Sequence, residues 1–126
     1  MQDERFNGIA SQRRDASIED NLKRFAEMAS GEEAGQGWCL RAKISVDNPN
    51  KAMRDPVIYR ANPKAHHRTG DKWKVYPTYD FACPIVDSVE GVTHALRTNE
   101  YRDRNPQYQW MLDALELRKV HVWDFR

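Results

Sequence analysis

The sequence predicts an α/β chain in two pieces: a basic, mainly antiparallel piece over residues 1–74 and a parallel β-α-β-α-β piece over residues 75–126. Three observations predict it. Residues 38–46 alternate, with Leu40, Ala42, Ile44 and Val46 on one face and Cys39, Arg41, Lys43 and Ser45 on the other, the pattern of a half-buried strand with a basic outer face. From residue 75 onward short apolar runs alternate with helical patterns, the succession of a parallel sheet whose ligands gather at strand C-terminal ends. The charge also changes near Tyr76.

Taken in order, residues 1–14 are polar, carry the turn signal Asn7-Gly8 and read as a connecting arm. Ser17 opens a helix, with Asp20 three residues on as a weak capping box and Gly31 as its stop. Ile18, Leu22, Phe25 and Met28 share one face and should pack on a sheet, while Glu19 with Lys23 and Asp20 with Arg24 support the solvent side. After the strand at 38–46, Asp47-Asn48-Pro49-Asn50 turns the chain into a strand at 57–61, and Thr69-Gly70-Asp71 turns it again before a strand at 73–76. Strands joined this closely favour antiparallel pairing.

In the second piece a short strand at 75–79 runs to Asp80, which can cap the next helix, with Pro84 near its first turn, Ile85, Val86 and Val89 on its apolar face and Gly91 at its stop. Residues 92–96 follow as a buried strand. Asn105 and Pro106 then open a helix as cap and first residue, with Tyr108, Leu112 and Leu115 as its buried stripe, and residues 120–125 form the last strand. Such a piece is about half of a doubly wound sheet, and half a sheet leaves an open edge. The strand ends put the hydroxyl of Tyr79 and the guanidinium of Arg97 at one crevice, and a buried arginine asks for an anionic partner.

No run of about 18 apolar residues and no apolar signal core is present, which argues against membrane and secretory classes. Cys39 and Cys83 cannot make a disulfide framework, which is compatible with a reducing cytosol. The net charge of +1 hides an uneven distribution: residues 41–74 hold nine basic side chains against three acidic ones, while both flanks are acidic. A concentrated basic face is the footprint of nucleic-acid contact, although a solvated sheet face also looks this way. His66 and His67 lack a second ligand pair at metal spacing, and adjacent side chains on an extended segment point apart, so no protein-bound zinc is expected. Cys83 reads as a buried thiol and His94 as a hydrogen-bonded core histidine.

The segment PTYDFACPIVDSVEGVTHALRTNEYRDRNPQY, preceded by MRDPVIYR and HHRTGDKWKVYP, resembles the middle of glutamyl-tRNA synthetases of the eukaryotic cytosolic and archaeal type. The resemblance runs from Asp3 to Phe125, and the glutaminyl enzymes carry a very similar block. It implies a class I nucleotide-binding fold of Rossmann type, split by an inserted domain that grips the tRNA acceptor end. Residues 1–74 would be most of that insert and residues 75–126 the start of the returning half. No His-Ile-Gly-His-like and no Lys-Met-Ser-Lys-Ser-like motif is found, so the resemblance implies a fragment that is inactive alone.

Carried over position by position, the resemblance puts Tyr79, Cys83 and Arg97 around the glutamate substrate. Glutaminyl relatives have cysteine where Arg97 stands, and glutamyl enzymes use arginine there to hold the substrate's side-chain carboxylate. Thr98, Glu100 and Tyr101 fall on the loop that approaches ATP and the adenylate, and Asp103 matches an acidic residue facing the acceptor stem in glutaminyl relatives; the basic strand face adds Arg41 and Lys43 as tRNA candidates. The implied function is ATP-dependent attachment of glutamate to tRNA(Glu) in the cytoplasm, with magnesium accompanying ATP and other synthetases or assembly factors as further partners. A non-catalytic acceptor-end-binding or assembly fragment is the alternative.

Overall fold

The computed structural model describes all 126 residues, Met1–Arg126. The polar arm contains a short helix, α1 (Gln2–Phe6). Helix α2 (Ile18–Ser30) begins as expected, with the Ser17 hydroxyl accepting from the Asp20 amide, and ends at Gly31 with φ +76°. Its stripe is only half used. Met28 is buried and the Phe25 ring packs edge-on against Tyr59 at 5.3 Å, but Ile18 and Leu22 are exposed. Arg24 pairs with Glu27 (3.0 Å) rather than with Asp20. A one-turn helix α3 (Glu33–Gln36) packs back on α2, with Gly35 against the backbone of Glu27.

The strand expected over 38–46 is shorter. Strand β1 (Cys39–Arg41) pairs antiparallel with β2 (Val57–Ala61), and the register shifts between Leu40 and Arg41. Asp55 is the cause: buried, with φ +33°, it accepts the Ile44 amide on Oδ1 (2.8 Å), Arg14 Nε on Oδ2 (2.6 Å) and Arg41 Nε on its carbonyl (2.6 Å). A carboxylate has taken the backbone donor that a longer ladder would use.

Strand β3 (Val75–Pro77) corrects the predicted β-α-β-α-β order. It pairs antiparallel with β2, giving the order β1-β2-β3, so the strand expected to open the parallel unit completes the first sheet. Only β4 (His94–Thr98) and β5 (His121–Phe125) pair in parallel, with Arg97 opposite Asp124. The short 62–74 connection is compatible with antiparallel pairing, and the hydrogen bond from Asn62 N–H to Lys74 O continues that ladder.

Helix α4 (Tyr79–Val89) connects the two sheets. Its N-cap is Thr78, not Asp80, and the Thr78 hydroxyl donates to Val57 O (3.0 Å) instead of capping. Pro84 lies buried inside the helix, beyond the first turn. At the other end the Val92 and Gly91 amides bond Asp87 O and Ser88 O, with Gly91 at φ +82°, a left-handed stop that favours glycine. Helix α5 (Asn105–Ala114) starts one residue before the expectation, and the Asn105 amide donates to Asp124 Oδ1 (2.9 Å) rather than capping.

The main core is Tyr108, Leu112 and Val120, flanked by Cys83, Val92, Ala95 and Val122, where α4 and α5 cover one face of the β4–β5 sheet. The other face is open: Leu96 is 69% exposed and Trp123 60%, which corrects the expected burial of residues 92–96. His94 is exposed on that face too, with its ring 5.4 Å from His121. Leu115 is likewise half exposed. The rings of His66 and His67 stack at 4.4 Å rather than pointing apart, because the segment is a turn closed by the His66–Gly70 bridge, not an extended strand. An edge-on chain of Phe25, Tyr59 and Phe81 (5.3 and 5.2 Å) ties α2, β2 and α4 together.

Candidate functional site

One stripe of α4 carries Tyr79, Cys83 and Asp87, four residues apart, facing β4 and α5. Asp87 Oδ2 accepts from the Tyr108 hydroxyl at 2.7 Å and from the Cys83 thiol at 3.5 Å. Burial pushes the Cys83 thiol above its ordinary range, so it is protonated at neutral pH and is no nucleophile. The neighbouring Cys83 thiol is the main cause that pushes the Tyr79 phenol above its usual range. The residue is 61% exposed, so most of it faces solvent.

Arg97 is placed by β4 at the buried face of the sheet, 8% exposed. Its Nε and Nη2 are buried without a hydrogen-bond partner. The guanidinium carbon lies 4.9 Å from the Tyr101 ring centroid and 5.5 Å from that of Tyr108. Aromatic faces support the cation but leave its planar donors unspent, and a buried, unpaired guanidinium is costly unless an anion completes it. Asp124, its neighbour across the ladder, is engaged with Asn105.

Beside this cluster runs a cleft of about 980 Å³ between the antiparallel sheet and the 3-10 turn Asn99–Arg104. Arg5, Arg41, Arg60 and Arg104 line it together with Asp80, Glu100 and Asp103, and Tyr79 also lines it. Tyr79, which lines the cleft, lies 6.0 Å ring to ring from Tyr101, the neighbour of Arg97. Of the predicted residues, the structure brings Tyr79, Cys83, Arg97 and Tyr101 together as neighbours, and Tyr79, Glu100, Asp103 and Arg41 to the cleft. Thr98 ends β4 and leads into the 3-10 turn. Lys43 is not among the cleft residues: it lies beyond the end of β1 and pairs with Asp15 at 2.6 Å. Asp87 escaped sequence reasoning, and its i, i+4 spacing from Cys83 was the signal that could have found it.

The pattern of the family described as tRNA synthetases class I (E and Q), catalytic domain, matches residues 1–126. The chain belongs to this family. It is 66% identical over 125 residues to the probable glutamate–tRNA ligase, cytoplasmic, of Schizosaccharomyces pombe, covering 99% of this chain. It is 64% identical over 126 residues to the glutamate–tRNA ligase, cytoplasmic, of Saccharomyces cerevisiae. It is 53% identical over 125 residues to the bifunctional glutamate/proline–tRNA ligase of Mus musculus. The chain spans 18% of the length of each of the two yeast proteins and 8% of the mouse protein. The resemblance to glutamyl-tRNA synthetases therefore holds across the chain, and in this synthetase chain no helix is long and apolar enough to cross a membrane.

Proposed function

We propose that this synthetase chain supplies the glutamate pocket and part of the tRNA acceptor-end cleft of a cytoplasmic glutamate–tRNA ligase. The observation that carries the reading is Arg97, whose buried Nε and Nη2 want an anion. A side-chain carboxylate accepts both in a fork, whereas an amide offers one acceptor and one donor. Tyr79 and Cys83 complete the pocket wall. Thr98, Glu100 and Tyr101 lie on the side from which ATP and the adenylate approach, and Asp103 and Arg41 face the RNA, with Lys43 at the margin. Residues 1–74 together with β3 serve as acceptor-end insert, and the chain from α4 onward returns to a split Rossmann-type fold; the pairing of β3 with β2 makes α4 the joint between them.

In the reaction the α-carboxylate of glutamate attacks the α-phosphorus of ATP and expels pyrophosphate, and the terminal ribose hydroxyl of tRNA then attacks the acyl carbon and expels AMP. This chain's part is positioning and charge complementarity. Magnesium travels with ATP; no group of three or more His, Cys, Asp or Glu side chains here could hold an ion, and no step is assigned to one. Fusion to, or assembly with, other synthetases fits the bifunctional relatives.

The test is transfer of labelled glutamate to tRNA by the full-length protein carrying this chain. Glutamate incorporation in preference to glutamine supports the reading; tight acceptor-end binding with no aminoacylation would instead favour a non-catalytic RNA-binding role, for which the arginine-lined cleft is the motive.

A further inference from the structure

Arg97 is oriented by rings rather than by hydrogen bonds, and of those two rings only Tyr108 is buried, 1% exposed within α5. A phenol pinned at its ring alone could still turn its face. The Tyr108 hydroxyl is fixed by the Asp87 carboxylate at 2.7 Å, and the same oxygen accepts the Cys83 thiol. Asp87 is itself anchored, because its carbonyl accepts the Val92 amide (2.9 Å) and Arg118 Nη2 (3.4 Å) at the end of α4. Local structure does not explain a carboxylate there. Asp87 sits in the last turn of α4, where the helix macrodipole disfavours negative charge. A hydrogen bond to a carboxylate also enriches the phenol ring in electron density, which strengthens its attraction for a guanidinium.

We propose that Asp87 is a positioning residue for the Arg97 anion pocket, acting through the ring of Tyr108. The proposal rests on the reading that Arg97 binds the glutamate side chain. Removing Asp87 frees the Tyr108 ring and with it the guanidinium, so the fork presented to the carboxylate loses its alignment while the ATP side is untouched.

Steady-state kinetics on the full-length protein test this with Asp87→Ala, Asp87→Asn, Tyr108→Phe, the Asp87→Ala/Tyr108→Phe pair, and Arg97→Lys as the control. Asp87→Ala and Tyr108→Phe should each raise KM for glutamate about three- to tenfold, the range set by one missing hydrogen bond, with KM for ATP unchanged. The pair should do no more than either alone, and Asp87→Asn, whose amide oxygen still accepts the phenol, should recover most of the loss. Equal rises in both KM values, or additive effects in the pair, would overturn the proposal by showing general loosening or independent roles. No change on Asp87→Ala or Tyr108→Phe while Arg97→Lys raises KM for glutamate would overturn it and leave the Arg97 reading standing. No change with Arg97→Lys either would overturn both.

Discussion

The guanidinium of Arg97 stacks 4.9 Å from the ring centroid of Tyr101, and the same ring lies 5.2 Å from the guanidinium of Arg104. Arg104 in turn pairs with Asp80 at 3.2 Å, in the first turn of α4. One aromatic ring thus links Arg97 to the cleft wall, and the position of the 3-10 turn becomes part of the geometry of both.

Tyr101 should therefore matter for its ring more than its hydroxyl. Tyr101→Phe keeps the cation–π contact and should change KM for glutamate little, whereas Tyr101→Ala removes about 0.5–2 kcal/mol of support, roughly a twofold to thirtyfold rise. Equal effects from the two variants would mean that the hydroxyl, not the ring, carries the interaction.

The cleft makes different demands of its basic residues. Arg41 and Arg60 line it, while Lys43 is paired with Asp15. Charge reversal at Arg41 or Arg60 should weaken binding of a tRNA acceptor hairpin and flatten its salt dependence, by about 0.7–0.9 in the log–log slope for each phosphate that is no longer neutralised. Lys43→Glu should do much less. A salt-independent affinity, or a Lys43 effect as large as that of Arg60, would reduce the cleft to a solvated face.

Gly35 is where α3 meets α2. A Cβ at this position would sit 2.2 Å from the Glu27 carbonyl oxygen, a backbone atom that cannot swing away. Gly35→Ala should cost about 1–3 kcal/mol in chemical denaturation. Gly70→Ala meets no atom within 4 Å and suffers only its φ of +58°, so about 1 kcal/mol is expected. A neutral Gly35→Ala would mean that α2 and α3 can move apart at little cost.

Much of this fold was legible in the residues, and the misses share a cause. Ser17, Gly31 and Gly91 marked helix ends correctly because capping is local chemistry. Strand partnership is not local: the run after Lys74 reads the same whether it pairs with β2 or with β4, and only the register Tyr59 to Pro77 decides it. The alternation through Val46 promised a long strand, but the distant carboxylate of Asp55 took the Ile44 amide. In the site, Arg97 and Tyr79 stood out by residue type as candidates at strand ends, whereas Cys83 read as a buried thiol and became a candidate only through the family resemblance. Asp87 was not, since its partner Tyr108 lies 21 residues away in sequence and reads there as a packing residue.

Alkaline pH supplies a check on the buried acids. Burial raises Cys83 and Cys39 above 9.0, and burial with the Asp87 hydrogen bond raises Tyr108 above 10.0. A raised folded-state pKa means that the native chain holds the proton more tightly, so the stabilisation is complete below the unfolded values and is lost as pH climbs through the folded ones. Stability should be flat with respect to these groups near neutrality and fall from about pH 9 upward. Tyr108→Phe should shrink the loss above 10.0; an unchanged alkaline profile in that variant would contradict the placement of its hydroxyl.

The most direct measurement is the glutamate-to-glutamine preference, as a ratio of kcat/KM, in the full-length protein and in Arg97→Cys. Glutamate and glutamine are nearly isosteric, so discrimination must come from charge and hydrogen-bond polarity, and a site built for one leaves buried groups unpaired with the other. Arg97→Cys should lower kcat/KM for glutamate by orders of magnitude and for glutamine far less, collapsing the ratio, with Arg97→Lys between the two because it keeps the charge without the planar fork. A preference left intact in Arg97→Cys would contradict the assignment of Arg97 as the carboxylate receptor.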